Sequence, residues 1–277
     1  VLTILVGLCS AFSYATSDLF SQRVTRAARA LTQVAWVLLT GAIIIVPIAL
    51  LVDGLPSGGA QWRAAGAAAL AGVTYFGAFL CLLRGLRRGD LGLISALNAL
   101  QGAYAAAAFV LLGQRVTPLL GVALVLCACG GALASFERRA KTTRGVPWAL
   151  ASGLLFAGVM VLYSYAHEVS WLSQAAISRS VSLIIALPAA LLTGGVALPS
   201  RQRATAVGAG VLELCGLIFF TIAIAMGPLT VAAVTTTQFG TFAVILGVAF
   251  LHERPNRQQW GGIACTLVGV TLLAFAI

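Results

Sequence analysis

Acidic side chains are scarce in this sequence. The 277 residues include only seven, along with two histidines. That leaves too few donors for a multi-ligand metal site. His167-Glu168 and His252-Glu253 are not followed by a second histidine at metalloprotease spacing. No Gly-Lys-Ser/Thr phosphate loop is present, so ATP hydrolysis has no support. Charged residues reach 9%, against about 25% in a soluble domain. This excludes an ordinary soluble enzyme and a disordered chain. The six cysteines all lie inside apolar runs, where a disulfide framework is not expected. Neither a cofactor nor catalysis is expected.

What is abundant is hydrocarbon: 60% of residues are hydrophobic. The formal charge of +10 does not indicate nucleic acid, because the basic residues punctuate apolar runs instead of clustering on one soluble face. In a membrane protein such residues set orientation and meet anionic headgroups.

A window of about 20 residues, enough to cross the hydrocarbon core, predicts about ten helices. They fall near 2–22, 31–52, 63–86, 91–112, 118–136, 146–166, 173–194, 203–226, 230–251 and 258–277. The first run continues straight into further spans, which predicts a span and not a cleaved leader. The longest polar stretch, Glu137 to Gly145, lies at the midpoint. It predicts a basic linker, 137–145, between a first unit, 1–136, and a second, 146–277.

The two halves share landmarks in the same order. Pro47-Ile48-Ala49-Leu50-Leu51 recurs as Pro188-Ala189-Ala190-Leu191-Leu192, and Gly54 matches Gly195. Gly89-Asp90-Leu91 recurs as Gly227-Pro228-Leu229, and Gly102 matches Gly240. A duplicated unit with an odd number of spans places its second copy upside down. The fold expected is therefore an all-α membrane protein of two inverted five-helix repeats, an architecture common among secondary transporters. Basic residues follow the odd-numbered spans: Arg23, Arg26, Arg29, Arg84, Arg87, Arg88, Arg138, Arg139, Lys141, Arg144, Arg201, Arg203, Arg254 and Arg257. The opposite ends hold only Arg63 and Arg115. The positive-inside rule then places both termini outside.

The stretch Leu251-His252-Glu253-Arg254-Pro255-Asn256-Arg257-Gln258-Gln259-Trp260-Gly261-Gly262, followed by an apolar helix, resembles the end of an EamA-type repeat of the drug/metabolite transporter superfamily. Leu112 to Gly121 is a weaker copy, and Tyr14-Ala15-Thr16-Ser17-Asp18-Leu19-Phe20 is similar to the family's aromatic and small-polar first helix. The resemblance implies ten helices and transport of small metabolites, commonly export of amino acids, from a bacterial plasma membrane. Two departures stand out. Leu100-Gln101-Gly102 and Gln238-Phe239-Gly240 occupy places where many relatives carry proline. The charge count also opposes the cytoplasmic termini of many relatives.

Glu213 is the most informative side chain. It lies about ten residues into its span, near the midplane. An ionised carboxylate there is costly unless it is paired or hydrated. It is a candidate substrate-amine or proton site, with a structural hydrogen bond as the alternative; its counterpart in the first half falls near Thr74. Arg179 is expected to meet Glu213, a substrate carboxylate or the headgroups. Asp18 and Arg84 are expected at similar depth, as an ion pair closing the inner mouth or as separate snorkelling groups.

Phe156, Met160, Tyr163 and His167 share a face of the sixth span. Ser10, Tyr14 and Ser17 share one on the first, Asn98 and Gln101 on the fourth, and Thr235, Gln238 and Phe242 on the ninth. Buried amides need partners, so these faces are expected to line a pocket with Glu213. Pro47 and Pro188 are candidate gating bends. Gly261, Cys265 and Gly269 form a small-residue packing face.

The function expected is alternating-access transport of a small organic solute, with a proton as candidate coupling ion, by a monomer or homodimer in lipid. An organic cation or drug is the alternative solute. A lipid-flipping or non-transporting scaffold is the alternative of another class.

Overall fold

The computed structural model describes residues 1–88, 91–113, 117–135, 145–251 and 257–276. Most of the expected linker, the Gly89-Asp90 pair, Gln114 to Val116 and the terminal motif His252 to Asn256 lie outside the described residues.

Among the described residues there are twelve helices: α1 Leu2–Ala27, α2 Ala30–Val52, α3 Gly59–Arg88, α4 Leu91–Ala99, α5 Gln101–Leu111, α6 Pro118–Ser135, α7 Val146–Ser164, α8 Trp171–Leu192, α9 Ser200–Met226, α10 Leu229–Thr236, α11 Phe239–Leu251 and α12 Arg257–Ala276. Two expected spans are each divided. The fourth breaks at Leu100 into α4 and α5, and the ninth breaks at Thr237-Gln238 into α10 and α11. Both breaks precede the glycines singled out in the sequence. Among the described residues α1, α2, α3, α7, α8 and α9 are each unbroken and apolar enough to span alone, and α4 with α5, α6, α10 with α11, and α12 are consistent with four further crossings. The protein is an integral membrane protein.

The packing has a two-fold pattern. α1 packs on α9, and α3 packs on α7. Exchanging the halves turns the first pair into the second. α2 with α8 and α6 with α12 are the self-matching pairs. Five crossings per unit make the two copies opposite in sense, so the repeats are inverted.

Hydroxyls tie the helices to one another's carbonyls. Ser10 and Ser17 of α1 donate to Gly216 O (2.7 Å) and Ala209 O (2.8 Å) of α9. Ser152 of α7 donates to Ala78 O of α3 (2.9 Å), and Ser182 of α8 to Gly72 O of α3 (2.7 Å). Each such bond contributes about 0.6 kcal/mol in a membrane. The small-residue face of α12 packs only in part. Gly269 lies against Cys127 and Ala123 of α6, whereas Gly261 has open space.

α2 and α8 end alike. Pro47 and Pro188 sit near their last turns, and the backbone then reverses through Gly54 (φ +69°) and Gly195 (φ +83°). This left-handed conformation suits glycine at a helix C-terminus. Each end is clasped by the start of the other helix. Asp53 accepts from Ser170 Oγ and from Ser173 Oγ (2.7 Å). At the opposite end, Thr32 donates to Gly195 O (3.2 Å) and Trp36 Nε1 to Val196 O (2.7 Å). That second end also holds a recess lined by Arg29, Arg84, Arg87 and Arg88, with Trp148 stacked under Arg84 (4.9 Å) and Arg88 (5.3 Å).

Candidate functional site

A cavity of ≈ 50 Å³ lies where the repeats meet. That volume has room for a few waters and is below the several hundred Å³ of a ligand-filled site. Its wall comes from α1, α3, α4, α5, α7, α9, α10 and α11. The offset that matches Gly102 with Gly240 also pairs most of the wall. It matches Asn98 with Thr236, Gln101 with Phe239, Phe79 with Leu217, Leu82 with Phe220, and Tyr75 with Glu213. The two helix breaks meet here as well: a Cβ on Gly102 would stand 2.6 Å from Thr237 Oγ1.

Glu213 is 1% exposed; one of its oxygens accepts a hydrogen bond, and the other is held by an ion pair alone. Oε2 lies 2.6 Å from a terminal nitrogen of Arg179, itself 1% exposed, and Oε1 accepts from the Tyr75 hydroxyl. The Arg179 guanidinium also lies 5.0 Å from the Tyr75 ring centroid, at cation–π range. Its stem runs against Gly41 of α2, where a Cβ would meet Nε at 3.1 Å. Arg179 thus reaches Glu213 from behind the wall. A buried pair of this kind neutralises a charge that hydrocarbon could not tolerate alone.

Tyr14, Asn98, Gln101, Phe156, Met160 and Tyr163 line the cavity, as their helical faces imply. Asn98 Oδ1, Gln101 Oε1 and Thr236 Oγ1 are buried without a hydrogen-bond partner among the described residues. His167 does not join them. It is exposed beyond the end of α7, 3.6 Å from Glu168.

The ninth span departs from expectation. Thr236 and Phe239 face the cavity in place of Thr235, Gln238 and Phe242. Thr235 donates back to Val231 O (2.8 Å), Gln238 donates to Val234 O (3.2 Å), and Phe242 packs edge-on against Phe12 (5.7 Å). The break at Thr237-Gln238 resets the helical register, so a single 3.6-residue pattern cannot run through it. Tyr75, Phe79 and Phe220 were missed. The repeat offset finds Tyr75, one residue beyond Thr74, as the counterpart of Glu213.

Asp18 and Arg84 do not form the expected pair. Asp18 is 5% exposed and lines the cavity, while Arg84 turns to Trp148 and the basic recess. The reason is helix length. α1 runs on to Ala27, nine residues past Asp18, whereas α3 ends at Arg88, four past Arg84. At 1.5 Å per residue the carboxylate lies several ångströms deeper along its helix. No group of three or more His, Cys, Asp or Glu among the described residues could hold a metal ion.

No curated protein matches the chain. A solved structure described only as a crystal structure of a protein superposes with a TM-score of 0.75, over 99% of this chain and 96% of its own, at 16% identity. That likeness concerns the fold alone. The sequence model of the EamA-like transporter family matches residues 1–136 and 143–275. The chain therefore belongs to the EamA-like transporter family of the drug/metabolite transporter superfamily.

Proposed function

We propose that the protein is a secondary transporter that exports a small amine-bearing solute, an amino acid or related metabolite, by alternating access around the central cavity. One observation carries this reading. A largely aromatic and apolar wall, most of it at equivalent positions of the two repeats, contains two carboxylates and unpartnered polar atoms. Tyr14, Tyr163, Asn98, Gln101 and Thr236 form the solute wall, with Glu213 in the same wall and held by the Tyr75 hydroxyl. The apolar remainder, including Phe79, Phe156 and Phe220, suits a hydrophobic side chain. The alternative solute, an organic cation, is favoured by the same acids among aromatics.

The gates in this reading are the two α2–α8 clasps. Each lies just past a proline that removes one helical hydrogen bond. Opening the Asp53–Ser170–Ser173 clasp admits one side, and opening the Thr32–Gly195 clasp admits the other. Arg179 serves as an anchor, and Arg84 as part of the basic recess. The gathering of Arg29, Arg84, Arg87 and Arg88 at one end supports placing that end in the cytoplasm of a bacterial inner membrane, with both termini outside. Pro47→Ala and Pro188→Ala are expected to slow transport in liposomes several-fold while leaving solute affinity within about two-fold. Wild-type rates in both variants would remove the prolines from gating.

A matched set tests the substrate class: leucine, isopentylamine (no carboxylate) and isocaproate (no amine). Leucine and isopentylamine are expected to raise the thermal midpoint of the purified protein, and isocaproate is not. Stabilisation by isocaproate alone would reverse the charge assignment.

A further inference from the structure

One end of the molecule gathers cations without anions. The recess there has a volume of ≈ 540 Å³, the size of a ligand site and larger than the central cavity. Its wall holds Arg29, at the start of α2, and Arg84, Arg87 and Arg88, at the end of α3. None of the four has a carboxylate partner among the described residues. Of the acids described, Asp18 and Glu213 line the central cavity, and Asp53 and Glu168 lie at the other end of the bundle. Trp148 holds Arg84 and Arg88 at its ring, which orients two guanidiniums but leaves their charge in place. α2 also begins in this wall, through Ala30 and Leu31, and no side chain caps it. An uncapped helix start adds partial positive charge.

Like charges so gathered repel one another. Membrane orientation does not call for this arrangement, because the positive-inside rule needs basic residues near helix ends and not around one hollow. Arg23 and Arg26 meet that rule from exposed positions outside the recess.

We propose that the recess binds the phosphate of an anionic phospholipid, whose acyl chains run along the outside of α8. Guanidinium forks match phosphate oxygens in geometry as well as in charge. A lipid is favoured over a soluble phosphate because the wall continues into hydrocarbon-facing surface. Leu191 (57% exposed) and Leu192 (87% exposed) directly precede Thr193, which closes the wall from α8, and Leu31 lies in the wall itself. A lipid seated here joins the start of α2 to the ends of α3 and α8, beside the clasp of Thr32 on Gly195. Its binding requires no solute and stands apart from the transport reading.

Native mass spectrometry of the whole protein in detergent, with phosphatidylglycerol or phosphatidylcholine added, tests the site. Wild-type protein is expected to retain one phosphatidylglycerol that phosphatidylcholine does not displace. Its thermal midpoint is expected to rise with the first lipid and not with the second. Arg29→Gln/Arg87→Gln is expected to weaken the retained lipid by about 30-fold, from the usual contribution of each basic residue near anionic lipid. Arg23→Gln/Arg26→Gln removes the same charge from the same end but outside the recess, and is expected to weaken it less than about three-fold. Equal weakening by the two double variants would mean diffuse surface attraction and overturn the site. Equal retention of the two lipids would overturn it too. Glycerophosphate carries the phosphate without the chains. If it raises the midpoint as much as phosphatidylglycerol at equal concentration, the recess takes a soluble phosphate and the lipid assignment falls. Wild-type protein alone supplies a further check that no folding defect can blur. The midpoint rise with phosphatidylglycerol is expected to shrink as sodium chloride is added, and a rise indifferent to salt would contradict binding through the arginines.

Discussion

Arg179→Met is expected to destabilise the protein by about 3–5 kcal/mol, the usual result of stripping one partner from a buried ion pair. The 2.6 Å contact joins two side chains that are each 1% exposed, so bulk solvent does not replace the lost partner. Glu213→Gln leaves Arg179 unpaired and is expected to cost a similar amount. The double variant Arg179→Met/Glu213→Gln removes both charges and retains Tyr75's hydrogen-bond acceptor. It is expected to regain most of the loss, because an apolar replacement for a buried pair is often neutral. Thermal unfolding of the four proteins in detergent gives the cycle. Additive losses in the double variant would show that the two groups act independently, contrary to the geometry.

The second large effect is steric. A Cβ on Gly72 of α3 would stand 2.5 Å from Ser178 O and 3.0 Å from Ser178 Cα of α8. Both are backbone atoms, so no rotamer change relieves the clash. Gly72→Ala must push α3 and α8 apart and is expected to cost about 1–3 kcal/mol. Ser178 precedes Arg179, so the displacement also disturbs the Glu213 pair. Gly66, on the exposed side of the same helix, has nothing within 4 Å of its would-be Cβ. Gly66→Ala is expected to be neutral or to stabilise by up to about 1 kcal/mol through helix propensity. Equal effects from the two substitutions would contradict the packing.

These two expectations draw on different kinds of legibility. The spans were readable because a bilayer demands about 20 apolar residues per helix, and the repeat landmarks survived in Pro47 and Pro188, Gly54 and Gly195. The breaks were partly readable as Gly102 and Gly240, standing where relatives have proline. Their consequence was not readable, since a register reset moves the inward face from Thr235 and Phe242 to Thr236 and Phe239. Depth was the other weakness. Placing Asp18 near a helix end assumed that α1 stops with its apolar run, but the helix continues through Gln22, Arg23 and Arg26 to Ala27. Amphipathic continuation past the hydrocarbon edge leaves no hydropathy signal. Glu213 was legible as a costly charge and Arg179 as a candidate partner. Tyr75 was hidden because aromatic residues are common in apolar runs, and only the repeat offset singles it out.

The central claim is that the cavity between the repeats binds a solute through its amine and carries it across the membrane. The most direct measurement is counterflow of labelled leucine in liposomes containing wild-type protein, with unlabelled leucine, isopentylamine or isocaproate trapped inside. Trapped leucine or isopentylamine is expected to drive uptake of the label, and isocaproate is not. Uptake driven equally well by isocaproate would contradict the account.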